Sequence, residues 1–205
     1  MPLDTATLVR QTLDLQATAV ARWHELPLDN PYTGLLGVVC QQHQFNYQLW
    51  HEEDVARSRD VTDERIAQVK RAIDGFNQQR NDWIERIDET LIEMLEASGV
   101  SPADDAPLNT ETPGSAIDRL SIMSLRVYHL REEFDREDAD DAHKQKVGEK
   151  LARCAVQTED LSGSLGQLLG DIFAAKKRLR VYRQMKMYND PTLNPYLYKS
   201  GRKAS

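Results

Sequence analysis

The chain has 205 residues, 40% hydrophobic and 29% charged, with a formal net charge of −7 and a pI near 5.3. That is enough apolar material to bury a core and too much for a disordered chain. The acidic balance argues against general nucleic-acid binding, which shows as a basic domain. The two cysteines, Cys40 and Cys154, stand far apart and form no CxxC motif, so nothing points to a disulfide scaffold or a zinc–thiolate site. Charges through MPLDTATLVRQTLDL leave no apolar signal-peptide core, and no stretch approaches the roughly 18 apolar residues of a membrane span. The location expected is cytoplasmic.

In chain order, a first helix is predicted from about Asp4 to Glu25, with Val9, Leu13, Val20 and Trp23 on one face. LPLDNPYTG breaks it with two prolines and a glycine. A second helix runs from about Leu35 to Arg59. Asp60 or Thr62 caps a third, with Asp63 and Glu64 in its first turn and a stop at Ser98-Gly99. Ile66, Val69, Ile73, Phe76, Trp83, Ile87 and Met94 mark its buried stripe.

After a loop rich in Pro and Asp, a fourth helix begins near Pro113, with Thr112 or Ser115 as N-cap, and Leu120, Met123, Val127, Leu130 and Phe134 form its apolar face. In the fifth, apolar residues recur in steps of three and four from Val147 to Tyr182, which predicts one long helix despite its glycines. Gly163, Gly166 and Gly170, with Ala174, share another face. Close approach of a neighbouring helix or room for a ligand would explain them. Residues 188–205, with two prolines, form an extended arm beyond a single helical domain whose core is 4–187. Strict alternation and hairpin turns are lacking, so the fold class is all-α: an antiparallel bundle of about five helices with one long C-terminal helix.

Polar residues interrupt the apolar stripes. On the second helix the inward face reads Val39, Gln42, Asn46, Leu49, Glu53, with Trp50 and Arg57 beside it. On the third, Arg80 falls inside the apolar stripe, and Asp74, Asn77, Asn81 and Asp88 align one step round, with Glu85 beside them. The fourth adds Asp118, Arg119 and His129. Burying such groups is costly unless they are satisfied. They therefore form either a buried ion-pair network or the lining of a pocket between helices. The short break at 60–62 makes helices two and three antiparallel neighbours, so Glu53 is expected to meet Asp74, and Asn46 to meet Asn77 or Arg80. Arg80 would neutralise one carboxylate there.

LWHEEDVAR at 49–57, RAIDGFNQQRNDWIERID at 71–88, NTETPGSAIDRLSIMSLRVYH at 109–129 and YRQMKMYNDPTLNP at 182–195 resemble a bacterial family known as domain of unknown function 4254. The resemblance spans about residues 35–197. It implies a helical fold, no established activity, and a hint of a link to cell-envelope sugar transfer. The polar positions it matches include Asn46, His51, Glu52, Glu53, Arg57, Asp74, Asn77, Arg80, Asn81, Glu85, Asp88, Asp118 and Arg119.

A di-metal carboxylate bundle needs Glu-x-x-His, which this chain lacks. The helical nucleotide pyrophosphatases are nearer. Glu52-Glu53 and Glu85-x-x-Asp88 partly match their magnesium-binding carboxylates, although Ala56 stands where a third glutamate belongs. There is no P-loop, Gly-x-Ser-x-Gly or Gly-x-Gly-x-x-Gly. The five histidines are scattered in sequence, and each alone reads as a surface or satisfied core residue. Lys176, Lys177, Arg178, Arg180, Arg183 and Lys186 make a basic end to the fifth helix, suited to its dipole or to an acidic partner.

The function expected is binding of a small polar or anionic ligand, or a partner protein, with no resident cofactor. The ligand would be held by Asn46, Trp50, Glu53, Arg57, Asp74, Asn77, Arg80, Asn81, Asp118 and Arg119. The alternative is a magnesium-dependent phosphohydrolase using Glu52, Glu53, Glu85 and Asp88. A fourth helix of roughly 22 residues at 1.5 Å each is too short to cover all of the fifth; the third would cover the rest or a second copy would, and the expectation is a homodimer.

Overall fold

The computed structural model describes residues 4–185, 187 and 190–200. Its helices are α1 (Thr5–Glu25), α2 (Gly34–Arg57), α3 (Asp63–Ala97), α4 (Pro113–Asp135), α5 (Asp141–Phe173) and the short α6 (Pro195–Ser200). Four of the five long helices start at side chains that accept orphan backbone N–H groups, α2 being the exception. Asp4 takes the N–H of Thr7, Thr62 that of Arg65, Thr112 that of Ser115 and Asp140 that of His143. Gly99, at φ 68°, ends α3 as the left-handed residue of a Schellman turn, in which Val100 donates to Leu95 and Gly99 to Glu96.

All five long helices contribute to one core. Leu8, Leu15, Ala19 and Trp23 of α1, Val39 and Cys40 of α2, Ile87 and Leu91 of α3, Ile117 and Leu120 of α4, and Leu165 and Leu169 of α5 pack together. As expected, α2 and α3 are antiparallel neighbours. A second apolar cluster of Leu49, Val69 and Ile73 joins them, and Arg65 on α3 reaches Glu52 on α2 at 3.6 Å. Both cysteines are free and buried. No helix among the described residues is long and apolar enough to cross a membrane.

Two expectations about the C-terminal part are corrected. The fifth helix ends at Phe173, not near Tyr182. Ala175 turns left-handed at φ 59°, and a complete Schellman turn closes the helix, with Lys176 donating to Asp171 and Ala175 to Ile172. The chain then runs back along the loop before α4, where Arg178 bonds Ala106 and Pro107. Arg183 continues it onto α3 against Glu85 and Glu89. The basic run is therefore no helix end: α3 supplies acidic partners for Arg183, and Asp171 for Lys176 and Lys177. Lys186 lies outside the described residues. The arm is also not wholly extended, because Asn194 caps the turn Pro195–Ser200, while 188, 189 and 201–205 are outside the description.

Much of the apolar stripe of α5 is covered within the chain. Val147, Cys154, Leu165, Leu168 and Ile172 are buried, with Leu165 in the main core and Leu168 and Ile172 against Leu95 of α3, whereas Leu151 and Leu161 are half-buried. The glycine face has no close neighbour: a Cβ on Gly163 or Gly170 would meet nothing within 4 Å, and on Gly166 only Val9 at 4.0 Å. Gly163→Ala should therefore raise stability by about 0.5–1 kcal/mol, read as a higher urea midpoint; a loss of stability would show that something closes on that face. Gly114 is the opposite case. A Cβ there would sit 2.5 Å from the Ile84 carbonyl oxygen, so only glycine lets α4 start this close to α3.

Candidate functional site

The polar interruptions meet where α2, α3 and α4 face one another. Asp118 on α4 is the centre. Its Oδ1 accepts from Gln42 Nε2 at 2.7 Å, Asn46 Nδ2 at 2.9 Å and Arg80 Nε at 2.8 Å, while Arg80 Nη2 donates to Oδ2. Asn46 also donates to Ser121 Oγ at 2.8 Å. Ser121 in turn lies 2.6 Å from Nδ1 of the buried His43, whose Nε2 lies 3.0 Å from the Gln16 carbonyl. That carbonyl can only accept, so Nε2 carries the proton, Nδ1 is the bare nitrogen, and Ser121 donates to it. Burial pushes the His43 pKa from its usual 6.5 down to about 4.

In front of this network opens a cleft of about 370 Å³. Asn46, Trp50, Glu53 and Arg57 of α2 and Asn77 and Arg80 of α3 line it, joined by Leu49, Asp54, Ile122 and Leu125. The two readings of the polar stripe are thus two sides of one seam: an ion-pair network behind, an open pocket in front. Asp118, expected among the ligand-binding residues, does not line the cleft; it is buried behind Arg80, whose side chain is about a quarter exposed (26%).

The remaining expected residues lie elsewhere. Asp74 pairs with Lys70 and Arg119 with Glu111. Asn81 is half-buried on α3 and does not line the cleft. Glu53 pairs with Arg57 on its own helix instead of meeting Asp74. The carboxylate that Arg80 neutralises comes from α4, not from the α2–α3 seam.

The four carboxylates suggested for magnesium do not converge. Glu52 pairs with Arg65, near the start of α3, whereas Glu85 and Asp88 lie 20 and 23 residues further on, roughly 30 Å along the helix. Asp88 is buried and accepts the N–H of Gly114 at 2.7 Å, where it anchors the start of α4. Burial pushes its pKa up to about 6. Glu85 receives Arg183 and the N–H of Gln184.

Three histidines from three helices gather beside the cleft, which their scatter in sequence conceals. One ring nitrogen from each of His24, His51 and His129 lies within 4.8 Å of the others. Trp50 connects them to the cleft, stacking on His129 at 4.9 Å with planes 10° apart. Burial, then the proximity of His24 and His129, lowers the pKa of His51. No i, i+3 or i, i+4 pair of histidines announces such a group, because each helix supplies one.

Taken together, fold and site define an all-helical bundle with a buried polar network behind an open cleft. The chain belongs to the family described as "Protein of unknown function (DUF4254)", whose profile matches residues 36–181, the stretch that carries every cleft residue. No curated protein and no solved structure matches the chain.

Proposed function

We propose that this protein binds a small polar ligand bearing an anionic group in the cleft between α2, α3 and α4. The observation that carries the reading is the pairing of two guanidinium groups with an aromatic ring around one opening. Arg57 and Arg80 are within the lining, and Trp50 adds an apolar surface among the amides of Asn46 and Asn77. Arg80 uses Nε and Nη2 on Asp118, which fixes its plane and leaves Nη1 outside that pair. A pre-oriented cation of this kind suits a phosphate or carboxylate. Glu53 and Asp54 supply acceptors for hydroxyl groups. An acidic or phosphorylated sugar combines these features, in keeping with a role in cell-envelope sugar metabolism.

The test is calorimetric titration of the full chain with a panel of sugar phosphates and nucleotide sugars. A member of the panel should bind, and Arg57→Gln, on an exposed side chain, should weaken it about tenfold or more. Trp50→Ala should weaken it as well. Absence of binding across the panel, or equal affinity in Arg57→Gln, would overturn the reading.

A further inference from the structure

His24, His51 and His129 come from α1, α2 and α4, and one ring nitrogen of each lies within 4.8 Å of the other two. Their neighbours decide which nitrogens these are. His24 Nδ1 is 2.8 Å from the Val20 carbonyl oxygen, an acceptor only, so Nδ1 carries the proton. His129 Nδ1 is 2.7 Å from a carboxylate oxygen of Glu132 and carries its proton likewise. The nitrogens left over are the Nε2 atoms. All three Nε2 atoms, that of His51 included, are buried and have no hydrogen-bond partner among the described residues.

Mutual packing of aromatic rings does not account for this arrangement. Buried polar atoms are expensive when unsatisfied, and here three of them gather with no partner among the described residues. The hydroxyl of Tyr47, whose ring is 4.4 Å from His51 and 5.1 Å from His24, donates instead to the Trp23 carbonyl oxygen at 2.9 Å. A Phe or Leu cluster would fill the same space without the penalty. A cation placed between the three nitrogens removes it.

We propose that His24, His51 and His129 form a mononuclear binding site for a divalent transition-metal ion, zinc in the first instance, through their Nε2 atoms. The ligand set selects the class of ion. Three neutral imidazoles with no oxygen ligand suit zinc, copper, nickel or iron and do not suit magnesium or calcium. Zinc–nitrogen bonds of about 2.0–2.1 Å place tetrahedral ligand nitrogens about 3.4 Å apart. Closing to that distance takes modest torsional adjustment of three half-buried side chains. The outer partners are those a metal-bound histidine usually has: a backbone carbonyl behind His24 and a carboxylate behind His129, each fixing the tautomer that turns Nε2 inward. Three protein ligands leave a fourth position open, as in catalytic rather than structural zinc sites. Trp50, stacked on His129, is the side chain shared with the cleft, so the three-histidine site adjoins the proposed ligand site. The metal proposal does not depend on what the cleft binds.

The test uses the full chain, stripped with a chelator and titrated with zinc against a chromophoric competing chelator. The expected result is one zinc per chain, no competition from magnesium, and about 100-fold weaker binding or more in His51→Ala and in His129→Gln. Glu132→Gln, which leaves all three ligands in place, should weaken zinc about 10–100-fold. His143→Gln, at a half-buried histidine of α5 paired with Glu133, should leave affinity unchanged. Because the histidine variants also disturb packing, the unaltered chain gives a second reading: its copper(II) form should show electron paramagnetic resonance hyperfine coupling to three nitrogens. Substoichiometric zinc in the unaltered chain, equal affinity in His51→Ala, or fewer than three coupled nitrogens would overturn the proposal.

Discussion

In acid, His43 is expected to cost the fold about 3 kcal/mol between pH 6.5 and pH 4. In the unfolded chain a histidine takes up a proton near pH 6.5. In the folded chain His43 stays neutral until about pH 4, because full enclosure disfavours the charged ring by more than its bond to the Gln16 carbonyl and the nearby Asp118 favour it. The unfolded state therefore binds more protons through that window. Stability present above pH 6.5 is lost as the pH falls. Asp88 works in the opposite sense. Its folded pKa of about 6 lies above the usual 3.8, so its contribution is fully present below pH 3.8 and is lost as the pH rises through 6. The two are of similar size and largely mask each other. Asp88→Asn keeps an oxygen for the Gly114 N–H and removes the charge. Urea denaturation of that variant should show the full fall between pH 6.5 and pH 4, steeper than in the unaltered chain. Equal slopes in the two proteins, or a nuclear magnetic resonance titration placing His43 near 6.5, would contradict this account.

Arg80→Met should destabilise the fold by about 3 kcal/mol, the low end of the range for breaking a buried ion pair, since the Arg80 side chain retains 26% exposure and some solvent screening. The substitution leaves the Asp118 carboxylate buried with only the amides of Gln42 and Asn46. Adding Asp118→Leu removes that uncompensated charge, and the double variant should regain most of the loss. It should not regain all of it, because Gln42 and Asn46 then lack their acceptor, at about 1 kcal/mol each. If the cleft reads an anionic group through Arg80, the double variant folds and does not bind. Chemical denaturation measures the first part and titration the second. A double variant no more stable than Arg80→Met alone would show that Asp118 and Arg80 are not energetically coupled.

Helix boundaries were legible wherever a local device sets them. Asp4, Thr62 and Thr112 are short polar side chains before apolar periods, and Gly99 is a residue able to turn left-handed. The end of α5 was not legible, because its left-handed residue is Ala175 and the apolar period continues past it to Leu179 and Tyr182. Leu179 does pack on the core, but it reaches there from an extended segment. Periodicity reports burial, and burial alone does not distinguish a helix from a strap that returns across the bundle.

The site divides along the same line. That Asn46, Trp50, Glu53, Arg57, Asn77 and Arg80 share a seam followed from the sequence alone, because helical spacing puts each set on one face and the short break at 60–62 folds the two helices against each other. Likewise, an Arg within an apolar stripe implied a carboxylate partner. Which carboxylate, and which histidines meet, only the tertiary structure decided. Asp118 is 38 residues from Arg80, and His24, His51 and His129 each come from a different helix, so the rotation and axial register of α4 and α1 against α2 select them. Those are set by how the core interdigitates, down to the missing Cβ at Gly114, and no local spacing encodes them.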